Sequence, residues 1–184
     1  MIFIETKLKG AYVIDIKRHE DDRGFFGRSW CENEMREQGL NTNVRNINVS
    51  FSKTRGTLRG LHYQKNPYQE VKIIRCTRGA IYDVIIDLRK DSPTYKHWFG
   101  IELTPDNYKM VYVPEDFAHG YMTLCGNSEA TYLTSQFYTP GAEAGIRWND
   151  PEFNVDWPLK PKVISEKDKQ HPDFMSEQYS ILMR

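Results

Sequence analysis

The chain has 184 residues, 39% hydrophobic and 13% aromatic, enough for one domain with a core of its own. Its 25 basic and 25 acidic side chains cancel, which excludes a whole-molecule field that would draw in nucleic acid or an anionic membrane. No apolar run approaches the length of a membrane span, and Glu5 and Lys7 interrupt the apolar start before it resembles a signal peptide. Cys31, Cys76 and Cys125 form neither a CxxC pair nor a Cys/His zinc pattern, so reduced thiols of a cytoplasmic protein are expected.

In chain order, residues 11–16 are rich in β-formers and predict a strand. Residues 18–24 read as a charged loop and 25–30 as a second strand. Residues 31–38 lack Pro and Gly and are followed by Gly39, the pattern of a short helix with glycine just past its end. From there the pattern is β, with strands expected over 44–52, 57–64, 71–76, 80–88, 98–103, 110–113, 118–124 and 130–138. Arg55-Gly56, Asn66-Pro67, Arg78-Gly79, Thr104-Pro105 and Gly126-Asn127 mark turns between them. Many short strands so punctuated predict an all-β sandwich or barrel. No linker divides the chain, so residues 1–184 are expected to form a single domain, with residues 149–184 as a C-terminal arm. Within the arm, Ser165 caps a short helix or the segment closes over the barrel; the sequence leaves both open.

The stretch Arg59-Gly60-Leu61-His62-Tyr63-Gln64 concentrates the chemistry. Among these side chains only imidazole has an ordinary pKa, about 6.5, suited to moving protons near neutrality. Side chains two apart share a face of a strand, so Tyr132, Thr134, Gln136 and Tyr138 line one face, either a polar cavity wall or an exposed surface. Arg59 and His62 are three apart, and a regular strand would separate them. A bulge at Gly60 would bring them together. Lys72 beside Ile74 most often means an edge-strand charge facing water. His119, in Pro114-Glu115-Asp116-Phe117-Ala118-His119-Gly120, most often means a structural histidine in a turn.

Five motifs in register carry a resemblance: Asp22-Arg23-Gly24-Phe25-Phe26, Arg59-Gly60-Leu61-His62-Tyr63-Gln64, Val113-Pro114-Glu115-Asp116-Phe117-Ala118-His119-Gly120, Trp148-Asn149-Asp150-Pro151 and Ser165-Glu166-Lys167-Asp168. Together they resemble the dTDP-4-dehydrorhamnose 3,5-epimerase family along almost the whole chain. The resemblance implies a cupin-type jelly roll, that is a double-stranded β-helix, with a few short peripheral helices. It implies a homodimer acting on a dTDP-linked 4-keto-6-deoxyhexose, with no metal and no cofactor. It implies His62 as base paired with Asp168, Tyr132 as the acid on the opposite face of the sugar, and Lys72 near the ketone oxygen. Arg23, Asn48, Arg59, His119, Glu143 and Lys167 would bind the nucleotide sugar, and Tyr138 would stack on thymine. Arg28 departs from the glutamate of many relatives, a charge reversal on the binding side. Asn46-Ile47-Asn48 departs from the more usual Gln-Asp-Asn.

These residue types suit epimerisation next to a ketone. A base removes the acidic C–H proton, an acid returns one from the other face, and a cation stabilises the enolate. A tyrosine with an ordinary pKa near 10 stays protonated and can donate. Three rival readings are a single-site C3 or C5 epimerase, a metal-dependent cupin enzyme and a non-catalytic sugar-nucleotide-binding jelly roll. The metal cupin expects an HxH pair, where His62-Tyr63-Gln64 supplies one histidine.

Overall fold

A computed structural model describes residues 1–174; residues 175–184, the end of the expected arm, lie outside the described residues. The chain opens with β1 (Ile2–Glu5) and β2 (Tyr12–Asp15), then the hairpin β3 (His19–Asp21) and β4 (Gly24–Phe26), then α1 (Glu32–Glu37). Next come β5 (Asn46–Ser52), β6 (Thr57–Gln64), β7 (Lys72–Arg78), β8 (Ile81–Asp87), β9 (Trp98–Leu103), β10 (Met110–Val113), β11 (Phe117–Thr123) and β12 (Ser128–Thr134). The last elements are β13 (Glu143–Gly145), β14 (Val163–Ile164) and α2 (Glu166–Lys169).

The strands form two facing sheets, ordered β1-β2-β10-β7-β12-β5 and β13-β6-β11-β8-β9, with β14 added in parallel to β6. This is the expected all-β cupin-type jelly roll, with two short helices among the described residues at its periphery. Strand alternation explains its layers. Ile74, Val111, Val113 and Ala130 of the first sheet meet Ile81, Ile85, Leu103, Phe117 and Tyr121 of the second in the central core. The intervening residues Ile73, Met110 and Tyr112 face outward, where Met35 of α1 and Leu40 cover them. On the second sheet Leu61, Val84, Ile86 and Ala118 face outward under Phe153, Val155, Trp157 and Phe174. Both sheets thus pack apolar side chains on both faces, and β8 buries Ile81 and Ile85 on one face and Val84 and Ile86 on the other.

Four expectations need correction. Ile2–Glu5 is a strand that the sequence reading passed over, held by antiparallel pairing to β2. The charged loop over 18–24 is in fact a hairpin, because Gly24 at φ +123° lets His19–Asp21 fold back onto Gly24–Phe26. The strand expected over 25–30 ends at Phe26. The strand expected over 130–138 ends at Thr134. There side chains capture the backbone: the Thr134 hydroxyl donates to the Gln136 carbonyl at 3.1 Å, and the Gln136 side chain accepts from the Phe137 N–H at 2.9 Å. Gln136 and Tyr138 therefore do not continue the strand face of Tyr132.

Candidate active site

The site begins with an irregularity in β6. Across β6 and β11, His119 pairs with His62 and Tyr121 with Arg59, so two steps on one strand meet three on the other. The extra residue falls at Gly60, as expected, and both Arg59 and His62 line the same cavity. Glycine is required at this point. Its φ is +123°, and a Cβ would stand 2.5 Å from the Gly120 Cα of β11.

His62 Nε2 lies 2.8 Å from Asp168 Oδ1. Asp168 reaches this point from α2, whose cap is Ser165: its hydroxyl accepts the Asp168 N–H at 3.0 Å. The second carboxylate oxygen accepts the Gly60 N–H at 3.2 Å, so the bulge that aligns Arg59 and His62 also fixes the acid. Burial alone would push the Asp168 carboxyl up. The His171 and His62 imidazoles and the Gly60 N–H outweigh it and hold the carboxyl well below the usual carboxylate range. With an ionised Asp168 accepting from Nε2–H, neutral His62 carries its lone pair on Nδ1.

Lys72 and Tyr132 come from the opposite sheet. Lys72 is 8% exposed on β7, an inner strand between β10 and β12, so the edge-strand reading of this lysine is overturned. Its ammonium lies 3.0 Å from Glu70 Oε1. Glu70 also accepts from Gln64 Nε2 at 3.3 Å. Burial, and then the charge of Glu70, push the Tyr132 phenol above its ordinary value against the opposing pull of Arg59, so Tyr132 holds its proton at neutral pH.

A cavity of about 440 Å³ is lined by Arg59, His62, Lys72, His119, Tyr132, Glu143, Lys167 and Asp168, among others. A second, of about 540 Å³, is lined by Asn48, His62, Lys72, Tyr132, Tyr138 and Glu143, with Asn46, Glu70 and others. His62, Lys72, Tyr132 and Glu143 stand at their shared boundary. The polar wall comes from β5, where Asn46, Asn48 and Ser50 are half-buried while Ile47, Val49 and Phe51 between them are exposed. Tyr138 reaches the second cavity from the loop beyond β12, with its hydroxyl 3.4 Å from Glu143 Oε2. Burial would raise the Glu143 carboxyl, but the hydrogen-bonded Lys167 ammonium holds it down.

His119 is not in a turn. It lies in β11, buried, with Nε2 2.7 Å from Asp83 Oδ2. Arg23 is not brought to either cavity; it extends from the β3–β4 hairpin and pairs with Asp21 at 2.6 Å. Arg28 also lies elsewhere, 2.7 Å from Glu34. Sequence reasoning missed Glu70, Asp83 and His171. Asp83 had a signal: it shares a strand face with Ile81 and Ile85, and an acid there needs a partner. His171 stands three residues after Asp168, and among the described residues His62, Asp168 and His171 form a group whose atoms could ligate a metal.

An imidazole–carboxylate pair facing a protonated tyrosine, with a buried lysine beside them, is equipment for moving protons on and off carbon. On a cupin jelly roll, that describes a class of sugar epimerases. The sequence matches the dTDP-4-dehydrorhamnose 3,5-epimerase family over residues 5–176. It is 41% identical over 170 residues to the dTDP-4-dehydrorhamnose 3,5-epimerase of Methanothermobacter thermautotrophicus, covering 91% of each chain. The enzyme of that name from Bacillus anthracis, solved with TDP and PPi bound, superposes with a TM-score of 0.89 at 40% identity, covering 94% of this chain and 99% of that one. A Legionella pneumophila epimerase solved with dTDP-4-keto-L-rhamnose gives 0.83 at 34% identity, covering 91% and 89%. The chain belongs to the dTDP-4-dehydrorhamnose 3,5-epimerase family, and it is an isomerase.

Proposed function

We propose that the protein inverts C3 and C5 of dTDP-4-dehydro-6-deoxy-D-glucose to give dTDP-4-dehydro-L-rhamnose. The observation that carries this reading is the placement of His62–Asp168 on one sheet's side of the cavity and Tyr132 on the other. His62 Nδ1 takes the proton next to the 4-keto group, and Asp168 stabilises the imidazolium. The C–H electron pair moves onto the ketone oxygen, and Lys72 stabilises the enolate. Tyr132 returns a proton to carbon from the opposite face; solvent then restores both groups. The ketone activates both neighbouring carbons, so one base and one acid serve two inversions.

The sugar sits at the shared boundary of the two cavities. Arg59, His119 and Lys167 hold one side of the ligand, Asn48 the other, and Tyr138 stacks on the base. Glu143 fixes Lys167, and Glu70 is a positioning residue for Lys72.

The chain works as a homodimer. Support comes from edge strand β5, which leaves Ile47 66% and Val49 65% exposed beside Phe51. Covering this stripe with a second copy removes an open apolar edge. Arg23 lines neither cavity of its own chain, and in a homodimer it is free to meet the nucleotide sugar of the partner. In this reading the chain is one jelly-roll domain working in the cytoplasm, with the arm packed on it from residue 149 to residue 174; the rest of the expected arm lies outside the described residues. No helix among the described residues is long and apolar enough to cross a membrane.

The test is NMR of dTDP-4-keto-6-deoxy-D-glucose with the protein in D₂O. Deuterium entry and inversion at both C3 and C5 are expected. Exchange confined to one carbon would replace this reading with a single-site epimerase, and no exchange would remove it.

A further inference from the structure

The proposed reaction leaves His171 without a use, and its surroundings are unusual. Its side chain is 11% exposed, and Nε2 lies 3.7 Å from Asp168 Oδ1, the same oxygen that meets His62. At that distance Nε2 is buried without a hydrogen-bond partner. The ring stands edge-on to His62 with centroids 5.5 Å apart. Space for it exists because residue 145 is glycine: a Cβ there would lie 2.3 Å from His171 Nε2. Two imidazole nitrogens and a carboxylate oxygen thus lie within 4.8 Å of one another.

Imidazole and carboxylate together are the ligand set of borderline divalent cations. Around a tetrahedral Zn²⁺ with bonds of about 2.0–2.1 Å, ligand atoms stand about 3.3 Å apart. To reach that spacing the His62–Asp168 contact of 2.8 Å must open and the His171–Asp168 contact of 3.7 Å must close, while the two imidazole nitrogens, within 4.8 Å of each other, draw together. His62 and Asp168 line the cavity, and His171 meets Asp168 from beyond that lining.

We propose that His62, Asp168 and His171 form an inhibitory site for a borderline divalent cation such as Zn²⁺. The metal takes the lone pair of His62 Nε2 in place of the hydrogen bond to Asp168. The single N–H of the neutral ring then sits on Nδ1. That is the atom required to accept the substrate proton, so the bound metal abolishes the base without occupying the nucleotide's contacts. Inhibition rests on His62 being the base; metal affinity does not.

Chelator competition tests the site without turnover. Metal-free wild type, His171→Gln and His171→Ala are titrated with Zn²⁺ against a chromophoric chelator, with dTDP binding as the check on folding. Wild type should bind Zn²⁺ stoichiometrically, and both variants at least about tenfold more weakly. In the D₂O exchange assay, Zn²⁺ should stop wild-type exchange over its binding range, and EDTA should restore it. No Zn²⁺ binding by wild type, or equal affinity in variants that still bind dTDP, would overturn the site. Binding without loss of exchange would overturn the inhibition alone.

Discussion

Two of the histidine–carboxylate pairs among the described residues are near copies of each other. His62 and His119 are cross-strand neighbours in β6 and β11. Each meets a carboxylate through Nε2, at 2.8 Å to Asp168 and 2.7 Å to Asp83. Their surroundings differ. The His62 side chain is 29% exposed at the boundary of two cavities, and its carboxylate arrives from the tail helix. His119 is 10% exposed, and its carboxylate comes from the adjacent strand β8. Asp83 Oδ1 has no hydrogen-bond partner among the described residues, whereas the second oxygen of Asp168 is held by Gly60 N–H. A histidine bonded to an acid is therefore not enough to define a base. In the proposed reaction the base is the copy with open access to the cavity and a satisfied carboxylate.

Substitution of the two histidines should separate the copies most sharply. His62→Asn should lower kcat about 10²–10⁴-fold, the range of a positioned general base, with dTDP affinity retained. His119→Asn should raise KM far more than it lowers kcat, because a ligand contact is lost and the proton path is kept. Equal kcat losses in steady-state assays would erase the distinction.

Asp168→Asn should give a smaller loss than His62→Asn, since the base survives but loses its orientation and its counter-charge. The same carboxyl gives a pH signature. Its folded-state pKa is depressed, so in acid the unfolded chain binds the proton first and stability falls with pH. That contribution is complete above the ordinary carboxylate range, near pH 4, and disappears as pH falls through the lower folded value. Urea midpoints measured down the acid limb should fall less steeply in Asp168→Asn than in wild type. Parallel curves would mean that the pair does not stabilise the fold.

Tyr138→Ala should have the smallest effect on chemistry. Loss of a base-stacking ring costs about 1–3 kcal/mol, or about 5- to 150-fold in KM, with kcat little changed. A dominant kcat effect would move Tyr138 into the reacting centre.

The strand pattern made the jelly roll legible, because turn residues punctuate runs whose alternate members enter separate cores. Gly60 announced the bulge, since Arg59 and His62 could share a face in no other way. The reading of Tyr132 and Tyr138 as one strand face brought both to one cavity by a wrong route. Tyr138 arrives from a loop whose start is set by side-chain bonds at Thr134 and Gln136, which alternation does not register. Lys72 looked like an edge charge because strand order is a property of the whole sheet and not of the local run. Glu70 lies just outside β7, where no periodicity applies, and only the folded chain shows it holding Lys72.

The central claim is that base and acid lie on opposite walls of one cavity, and Tyr132→Phe tests it most directly. Incubated with dTDP-4-keto-6-deoxy-D-glucose in D₂O, this variant should still place deuterium next to the ketone, because His62 returns it to the face it came from. Inversion should be blocked, and His62→Asn should show neither event. Inversion at the wild-type rate in Tyr132→Phe, or deuterium exchange at the wild-type rate in His62→Asn, would contradict the arrangement.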